Sequence, residues 1–300
     1  MKILNCGSLN IDRVFQVNDL VRPGETIPAN GMELHAGGKG LNQSLALARA
    51  GAEVAHLGAV GQDGVFLKEL LAADGVDTAF VAVNSHTLSG QAVIQVTNSG
   101  ENAIVLYPGS NHTLDAGRSA AAMKLMQPGD MLLLQNETNN VAQMIEQGAK
   151  YGLKIFFNPA PMTDEVKKYP LELVDTLIVN ETEAAGLAGC SGSADRVLKL
   201  LRKMMPSCNL LLTLGSKGSL WAGRDGRIIS AEACSIAPAV DTTAAGDTFT
   251  GYFMAALARQ KSVEIALHEA SIAAGWCVAH HGAAPSIPYF KDIQKFSDPK

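Results

Sequence analysis

The chain has 300 residues, 47% hydrophobic and 18% charged, with a formal net charge of -5, which fits one large globular domain that folds without staples. An acidic chain with no broad basic surface argues against nucleic acid as a partner, and no apolar run approaches the ~18 residues of a membrane span. The five cysteines (Cys6, Cys190, Cys208, Cys234 and Cys277) are scattered and contain no Cys-x-x-Cys pair, the pattern of reduced thiols in a cytoplasmic protein without a signal peptide.

In chain order, short apolar runs at 3–6, 54–60, 131–134, 154–157, 176–179 and 210–214 read as buried strands. Amphipathic stretches at 41–50, 66–73, 141–150 and 194–205 read as helices between them. This alternation predicts an α/β fold, with a mostly parallel sheet covered by helices on both faces. Two regions, about 11–35 and 90–111, break the rhythm. In the second, β-prone runs at 92–97 and 103–107 flank Asn98-Ser99-Gly100-Glu101-Asn102 and read as a hairpin. Together the two regions predict a small sheet standing off the main domain: a lid that excludes water, a dimer surface, or both. The polar end from Lys291 is expected to fray.

Polar residues gather where strands end, which is where open α/β sheets bind ligands. After the first strand, Asn10 and Asp12 share one side of an extended segment. An amide paired with a carboxylate clamps vicinal hydroxyls of a sugar, or else makes ordinary Asx turns. In Gly37-Gly38-Lys39-Gly40-Leu41-Asn42-Gln43-Ser44, three glycines in four positions admit close backbone approach to a ligand. Lys39 adds a cation and Asn42 a donor and an acceptor; the spacing is not a Walker A loop, and a plain glycine turn is the alternative. Glu137 follows the run at 131–134. Asn180-Glu181-Thr182-Glu183 follows 176–179 and either caps a helix or organises Mg²⁺ through waters. Thr213-Leu214-Gly215-Ser216-Lys217-Gly218 either cradles a nucleotide or turns into the next strand at 219–222.

The most informative stretch is Asp241-Thr242-Thr243-Ala244-Ala245-Gly246-Asp247-Thr248-Phe249. Phe249, Phe253 and Leu257 recur at helical spacing, and Thr242 and Thr243 are expected N-caps. The first amides of such a helix, under Ala244, Ala245 and Gly246, make an anion site. Asp247 sits in the same turn, and a base beside an anion hole is what a hydroxyl needs to attack a phosphoryl group. An ordinary capped helix start is the plainer reading. His280-His281 lacks partners at metal-ligand spacing and reads as surface or helix end. Met123, Met126, Met204 and Met205 read as core and helix-edge filler.

On these residues the chain resembles the ribokinase (PfkB) family of carbohydrate kinases, from Gly7-Ser8-Leu9-Asn10-Ile11-Asp12 to Gly282-Ala283-Ala284-Pro285-Ser286-Ile287-Pro288. The resemblance implies a single domain over 1–300, a three-layer α/β/α sandwich with a mostly parallel sheet and a small β lid that also forms a homodimer contact. It implies ATP-dependent phosphorylation of a sugar, D-ribose at its primary 5-hydroxyl. 2-Deoxyribose, fructose, another sugar or sugar acid, or a nucleoside are alternative substrates, and a non-catalytic sugar sensor is the alternative of a different class. Asp247 would be the base, with the amides of Ala244, Ala245 and Gly246 as the anion hole. Asn10, Asp12, Gly38, Lys39, Gly40, Asn42 and Glu137 would hold the sugar. Asn180, Thr213, Gly215, Ser216, Lys217, Gly218, Gly246 and Ser271 would contact ATP, and Glu183 would order Mg²⁺ through water. Asp241, Thr243, Cys277, His280, Gly282 and Ser286 would surround a monovalent cation, K⁺, chiefly through carbonyls. The family signature commonly reads Gly-Ala-Gly-Asp where this chain has Ala244-Ala245-Gly246-Asp247; a hole built from backbone donors tolerates the change.

Overall fold

The computed structural model describes residues 1–297. Its strands are β1 (Ile3–Cys6), β2 (Asn10–Val17), β3 (Gly31–Gly37), β4 (Val54–Gly61), β5 (Asp77–Asn84), β6 (Gly90–Thr97) and β7 (Asn102–Tyr107) in the first part of the chain. β8 (Met131–Gln135), β9 (Lys154–Asn158), β10 (Thr176–Asn180), β11 (Asn209–Thr213), β12 (Ser219–Ala222) and β13 (Ile228–Ala231) follow. The helices are α1 (Lys39–Arg49), α2 (Val65–Ala73), α3 (Ala116–Met123), α4 (Val141–Lys150), α5 (Glu181–Ala188), α6 (Ala194–Met204), α7 (Ala245–Ala258), α8 (Val263–Val278) and α9 (Phe290–Ser297).

Among the described residues the main sheet runs β13-β12-β11-β10-β9-β8-β1-β4-β5. It is parallel from β11 through β5 and antiparallel only at β11-β12-β13. The central strands are apolar at nearly every position because both faces are covered, and their period of two sorts the side chains into two cores. Met131, Leu133, Phe156, Ile178 and Leu211 pack on the layer of α1, α2, α7, α8 and α9. Leu132, Leu134, Ile155, Phe157, Leu177, Val179, Leu210 and Leu212 pack on the layer of α3, α4, α5 and α6. The expected three-layer α/β/α arrangement is therefore present. Within the first layer α1 and α7 approach closely: a Cβ on Gly251 would lie 2.4 Å from the Ala46 methyl. That contact brings the start of α1 to the start of α7.

A second sheet has the order β3-β2-β6-β7 and unites the two regions that break the α/β rhythm. The hairpin β6-β7 forms as expected, with Gly100 at φ 84 in its turn. β2 pairs antiparallel with β3 but parallel with β6, from Asn10 opposite Gly90 to Val17 opposite Thr97. The expected fraying from Lys291 is wrong. Residues 290–297 form α9, because Ile293 is fully buried and Phe290 packs against the first core; residues 298–300 lie outside the described ones. Met123 and Met205 are core, as expected, and Met204 is exposed at a helix edge. No helix among the described residues is long and apolar enough to cross a membrane.

Candidate active site

α7 begins without the expected hydroxyl cap. Its N-cap is Ala244, in the left-handed region at φ 60 with no side-chain bond. Thr243 is captured instead by Asp241, whose Oδ1 accepts its N–H at 2.9 Å and its hydroxyl at 2.6 Å. Glycine adopts such a φ without penalty, whereas alanine carries strain there, so Ala244 stands where the family's usual glycine would be unstrained. The amides of Ala244, Gly246 and Asp247 meet no acceptor among the described residues, while the Ala245 amide makes a long 3.3 Å turn bond to the Thr242 carbonyl. A Cβ built on Gly246 would meet nothing within 4 Å. Unpaired helix-start amides beneath open space are what an anion site requires.

Asp247 is buried one residue further on, and the start of α1 grips its carboxylate. Asn42 Nδ2 donates to Oδ2 at 3.1 Å, and Gln43 Nε2 donates to Oδ1 at 2.8 Å. The side-chain oxygen of Asn42 is buried and accepts no hydrogen bond from the described residues. Lys39, at the head of α1, faces Asp247, Glu137 and Glu183, and the first of these carboxylates does most to raise its pKa, against the effect of burial. Yet its ammonium has no ion pair within 4.0 Å among the described residues. Lys39, Asn180, Glu183, Thr213, Ala244, Gly246 and Asp247 line one cavity of about 210 Å³, together with Asn158, Thr242 and Thr250.

On the other side of Lys39 the glycine loop folds onto the end of β1. A Cβ on Gly40 would lie 2.4 Å from the Gly7 carbonyl carbon, and Gly38 has φ 95, so both positions need glycine. Glu137 Oε2 accepts the Lys39 amide at 3.1 Å and the Ser8 hydroxyl. Burial raises the Glu137 pKa, and Lys39 offsets part of that rise. Asn10 and Asp12 lie on one face of β2. Asn10 Oδ1 accepts from Asn111 Nδ2 at 2.7 Å, which ties the start of β2 to the turn that follows β7. Asp12 accepts no hydrogen bond from the described residues. Burial, with Glu137 nearby, pushes its carboxyl up to about 7, and His35 pulls only slightly the other way.

Asn180 and Glu183 form a reciprocal capping box at α5: Asn180 Oδ1 accepts the Glu183 amide at 2.8 Å and Glu183 Oε2 accepts the Asn180 amide at 3.0 Å. Capping thus holds in a side chain that also faces the cavity. Burial raises the Glu183 pKa; the Asn180 amide and Lys39 oppose it. Gly215, Ser216 and Lys217 make a single 3-10 turn outside that cavity, and Lys217 reaches Glu181 at 3.4 Å. Gly218, at φ 93, leaves no room for a Cβ against the Ala231 carbonyl. Ser271 lies elsewhere, in a cavity of about 440 Å³ between β13 and α8 that shares no lining residue with the first; its buried hydroxyl has no partner among the described residues.

The loops before α7 and after α8 are knotted together. Asp241 Oδ2 accepts the Gly282 amide at 2.9 Å, and Cys277 Sγ lies 3.0 Å from Ser286 Oγ and 3.5 Å from the Thr243 carbonyl. Burial alone would raise the Asp241 pKa, but the bonds from Thr243 and Gly282 hold it below the usual carboxylate value. The His280 ring does not join this knot. Its Nδ1 bonds the Trp276 carbonyl at 2.8 Å and the ring stacks on Trp276 at 4.7 Å, the helix-end role expected of it.

Gln43, Ser8, Asn111, Asn158 and Thr250 belong to this site, and sequence alone assigns them no role. Gln43 and Ser8 carry a signal, their places in the glycine loop and in the motif after β1. Comparison with known proteins agrees with the geometry. The model described as pfkB family carbohydrate kinase matches residues 2–289. The chain is 36% identical to a ribokinase of Haemophilus influenzae, covering 97% of this chain and 96% of that one. It is 31% identical to a deoxyribokinase of Salmonella typhimurium, covering 99% and 98%. The Arabidopsis thaliana ribokinase solved with ribose and ATP superposes with a TM-score of 0.87 at 29% identity, covering 100% of this chain and 99% of that one.

Proposed function

This chain belongs to the pfkB family of carbohydrate kinases, and from that premise we propose that it transfers the γ-phosphoryl of ATP to the primary 5-hydroxyl of D-ribose, giving ribose 5-phosphate. The observation that carries this reading is the shared cavity: a buried carboxylate, unpaired helix-start amides and an unpaired lysine ammonium face one space. Asp247 takes the hydroxyl proton as the sugar oxygen attacks the γ-phosphorus, and the bond from that phosphorus to the β,γ-bridging oxygen breaks to release ADP. Amides at Ala244, Ala245 and Gly246 stabilise charge on the equatorial oxygens, and fixed donors of this kind supply most of the acceleration in such transfers; Ala245 must first release the Thr242 carbonyl. Asn10, Asp12, Gly38, Gly40, Asn42 and Glu137 hold the sugar hydroxyls, and the free oxygen of Asn42 and the unbonded Asp12 carboxyl are open acceptors for them. Asn180, Thr213, Gly215, Ser216, Lys217, Gly218 and Ser271 hold the nucleotide.

The donor set also fits two cations. The described residues contain no group of three His, Cys, Asp or Glu able to hold a metal directly. Glu183 fits Mg²⁺ bound mainly by phosphate and water, its carboxylate serving the outer shell. Such an ion neutralises phosphate charge when bound. Asp241 and the carbonyls near Thr243, Cys277, His280, Gly282 and Ser286 fit K⁺. The exposed apolar side chains of the small sheet, among them Leu34, Ile104, Val105, Leu106 and Tyr107, support pairing with a second copy of the chain through that sheet. Val105→Glu is expected to shift sedimentation from dimer to monomer; an unchanged monomer in both forms rejects the pairing.

A coupled assay of ADP formation over pentoses, hexoses and nucleosides tests the substrate. Ribose is expected to give the highest kcat/KM, and ATP consumption that no sugar stimulates would sink the reading. The 2-deoxyribose arm is the sharpest, because one deleted hydroxyl in a site built to bond it costs far more than a lost methylene. The same assay carries a pH prediction. Asp12 is a full acceptor only when ionised, and its pKa is held near 7. As pH falls through that value the sugar KM is expected to rise, with the ATP KM unchanged. Asp12→Asn is expected to give a high sugar KM with no such step.

A further inference from the structure

Behind the catalytic cavity lies a line of five polar side chains that the functional reading does not use. Asn5, Gln43, Ser44, His56 and Gln135 are each fully buried. Read outward from the carboxylate, Gln43 Nε2 donates to Asp247 Oδ1 at 2.8 Å, and Gln43 Oε1 accepts from Gln135 Nε2 at 2.7 Å. Gln135 Nε2 also donates to Asn5 Oδ1 at 2.9 Å, and Asn5 Nδ2 donates to Ser44 Oγ and to the Gly40 carbonyl, both at 2.8 Å. Ser44 is left to donate to His56 Nδ1 at 2.8 Å, and His56 Nε2 then donates to the Gly7 carbonyl at 3.2 Å. Each link fixes the amide orientation or tautomer of the next, so the whole line has one consistent hydrogen-bonding pattern. Burial lowers the His56 pKa to about 4, which keeps the ring neutral and the line intact at ordinary pH.

We propose that Gln43 is a positioning residue that sets the rotation of the Asp247 carboxylate, and that it is itself oriented by the buried line running through Gln135, Asn5 and Ser44 to His56. The inference rests on the reading of Asp247 as the base. The line is not a proton wire, because Gln135 donates in both directions from one nitrogen. Its effect is geometric: a carboxylate free to turn about its Cβ–Cγ bond spends less time with a lone pair aimed at the incoming hydroxyl. Asn42 grips the other oxygen, but it shares its face with the sugar site. Gln43 is held from behind by Gln135 at 2.7 Å, and a second, longer bond from its nitrogen to Asn158 Oδ1 at 3.3 Å closes the arrangement.

The test uses full-length Gln43→Met and Gln135→Met, which keep side-chain length and remove the amide, and the double variant. Gln43→Met is expected to lower kcat by about 10²-fold with the ATP KM unchanged, and Gln135→Met to lower it less. The double variant is expected to match Gln43→Met within about twofold, because residues acting in series are not additive. Additive losses, or an unchanged kcat in Gln43→Met, overturn the proposal. A purely structural role would lower Tm in both variants without this dependence. Crystal structures of wild type and Gln43→Met supply a readout independent of activity: the Asp247 carboxylate is expected to turn while the α7 backbone stays in place, and an unturned carboxylate overturns the proposal. If wild type phosphorylates no sugar, the functional reading fails, and the crystal structures still decide the positioning role.

Discussion

Asp247→Ala is expected to lower turnover by about 10²–10⁴, the usual worth of a general base, and to leave the fold intact. The expectation of an intact fold comes from where the side chain sits. Truncation strands Asn42 Nδ2 and leaves Gln43 Nε2 only its 3.3 Å bond to Asn158 Oδ1, and stranded donors are costly when dry. The side chain removed is itself part of the lining of the cavity, so water enters the vacated volume and replaces the lost oxygens. Far-ultraviolet circular dichroism and Tm should therefore stay near wild type while single-turnover phosphorylation slows. A variant with near-normal turnover would remove the assignment of Asp247 as the base. Sugar and ATP affinities, measured by calorimetry, should change little compared with the chemical step.

Lys39→Met should come second in size, with a loss of about 10²–10³ in kcat, the scale of removing one preorganised charge partner from a transition state. Methionine keeps the apolar stem packed. The ammonium it deletes has no ion pair among the described residues although three carboxylates surround it, which leaves its charge available to a phosphate. The substitution also carries a pH signature. Burial raises the Glu137 pKa, and Lys39 is the largest influence holding it down. Without that cation the pKa climbs further, so the carboxylate is lost at higher pH as acid is added. The acid limb of kcat/KM is expected to move upward in Lys39→Met. An unmoved limb with normal kcat would show that the lysine serves neither role.

The interior of the main sheet is readable from sequence because covered parallel strands are apolar throughout: Met131, Leu132, Leu133 and Leu134 are all buried. β5 escapes such a reading because it is an edge strand in which only Val81 is buried. α8 escapes it for the opposite reason. Ala266, Leu267, Ala270, Ile272, Ala273 and Cys277 are buried almost all round the helix, so no polar stripe marks its period. At the site, Asp247 and Lys39 are marked in the sequence by their own motifs, and the fold brings both to one cavity. Gln43 stands in a legible motif without a legible role, since its partners Asp247 and Gln135 are 204 and 92 positions away. Asn111 meets Asn10 across 101 positions and leaves no local mark. The expected threonine cap fails for a reason that spacing cannot reveal: Asp241, two residues before Thr243, competes for its hydroxyl and wins.

The small sheet begins and ends inside the site. β2 starts at Asn10 and carries Asp12, β3 ends at Gly37 one residue from the Lys39 turn, and β6 starts at Gly90 opposite Asn10. On the proposed reading, a swing of that blade would drag Asn10, Asp12 and the hinge of the ammonium arm along with it. Sugar capture and cleft closure would then be a single mechanical coordinate, and anything clamped to the blade's outer face, a twin molecule included, would feel whether the bowl beneath is full.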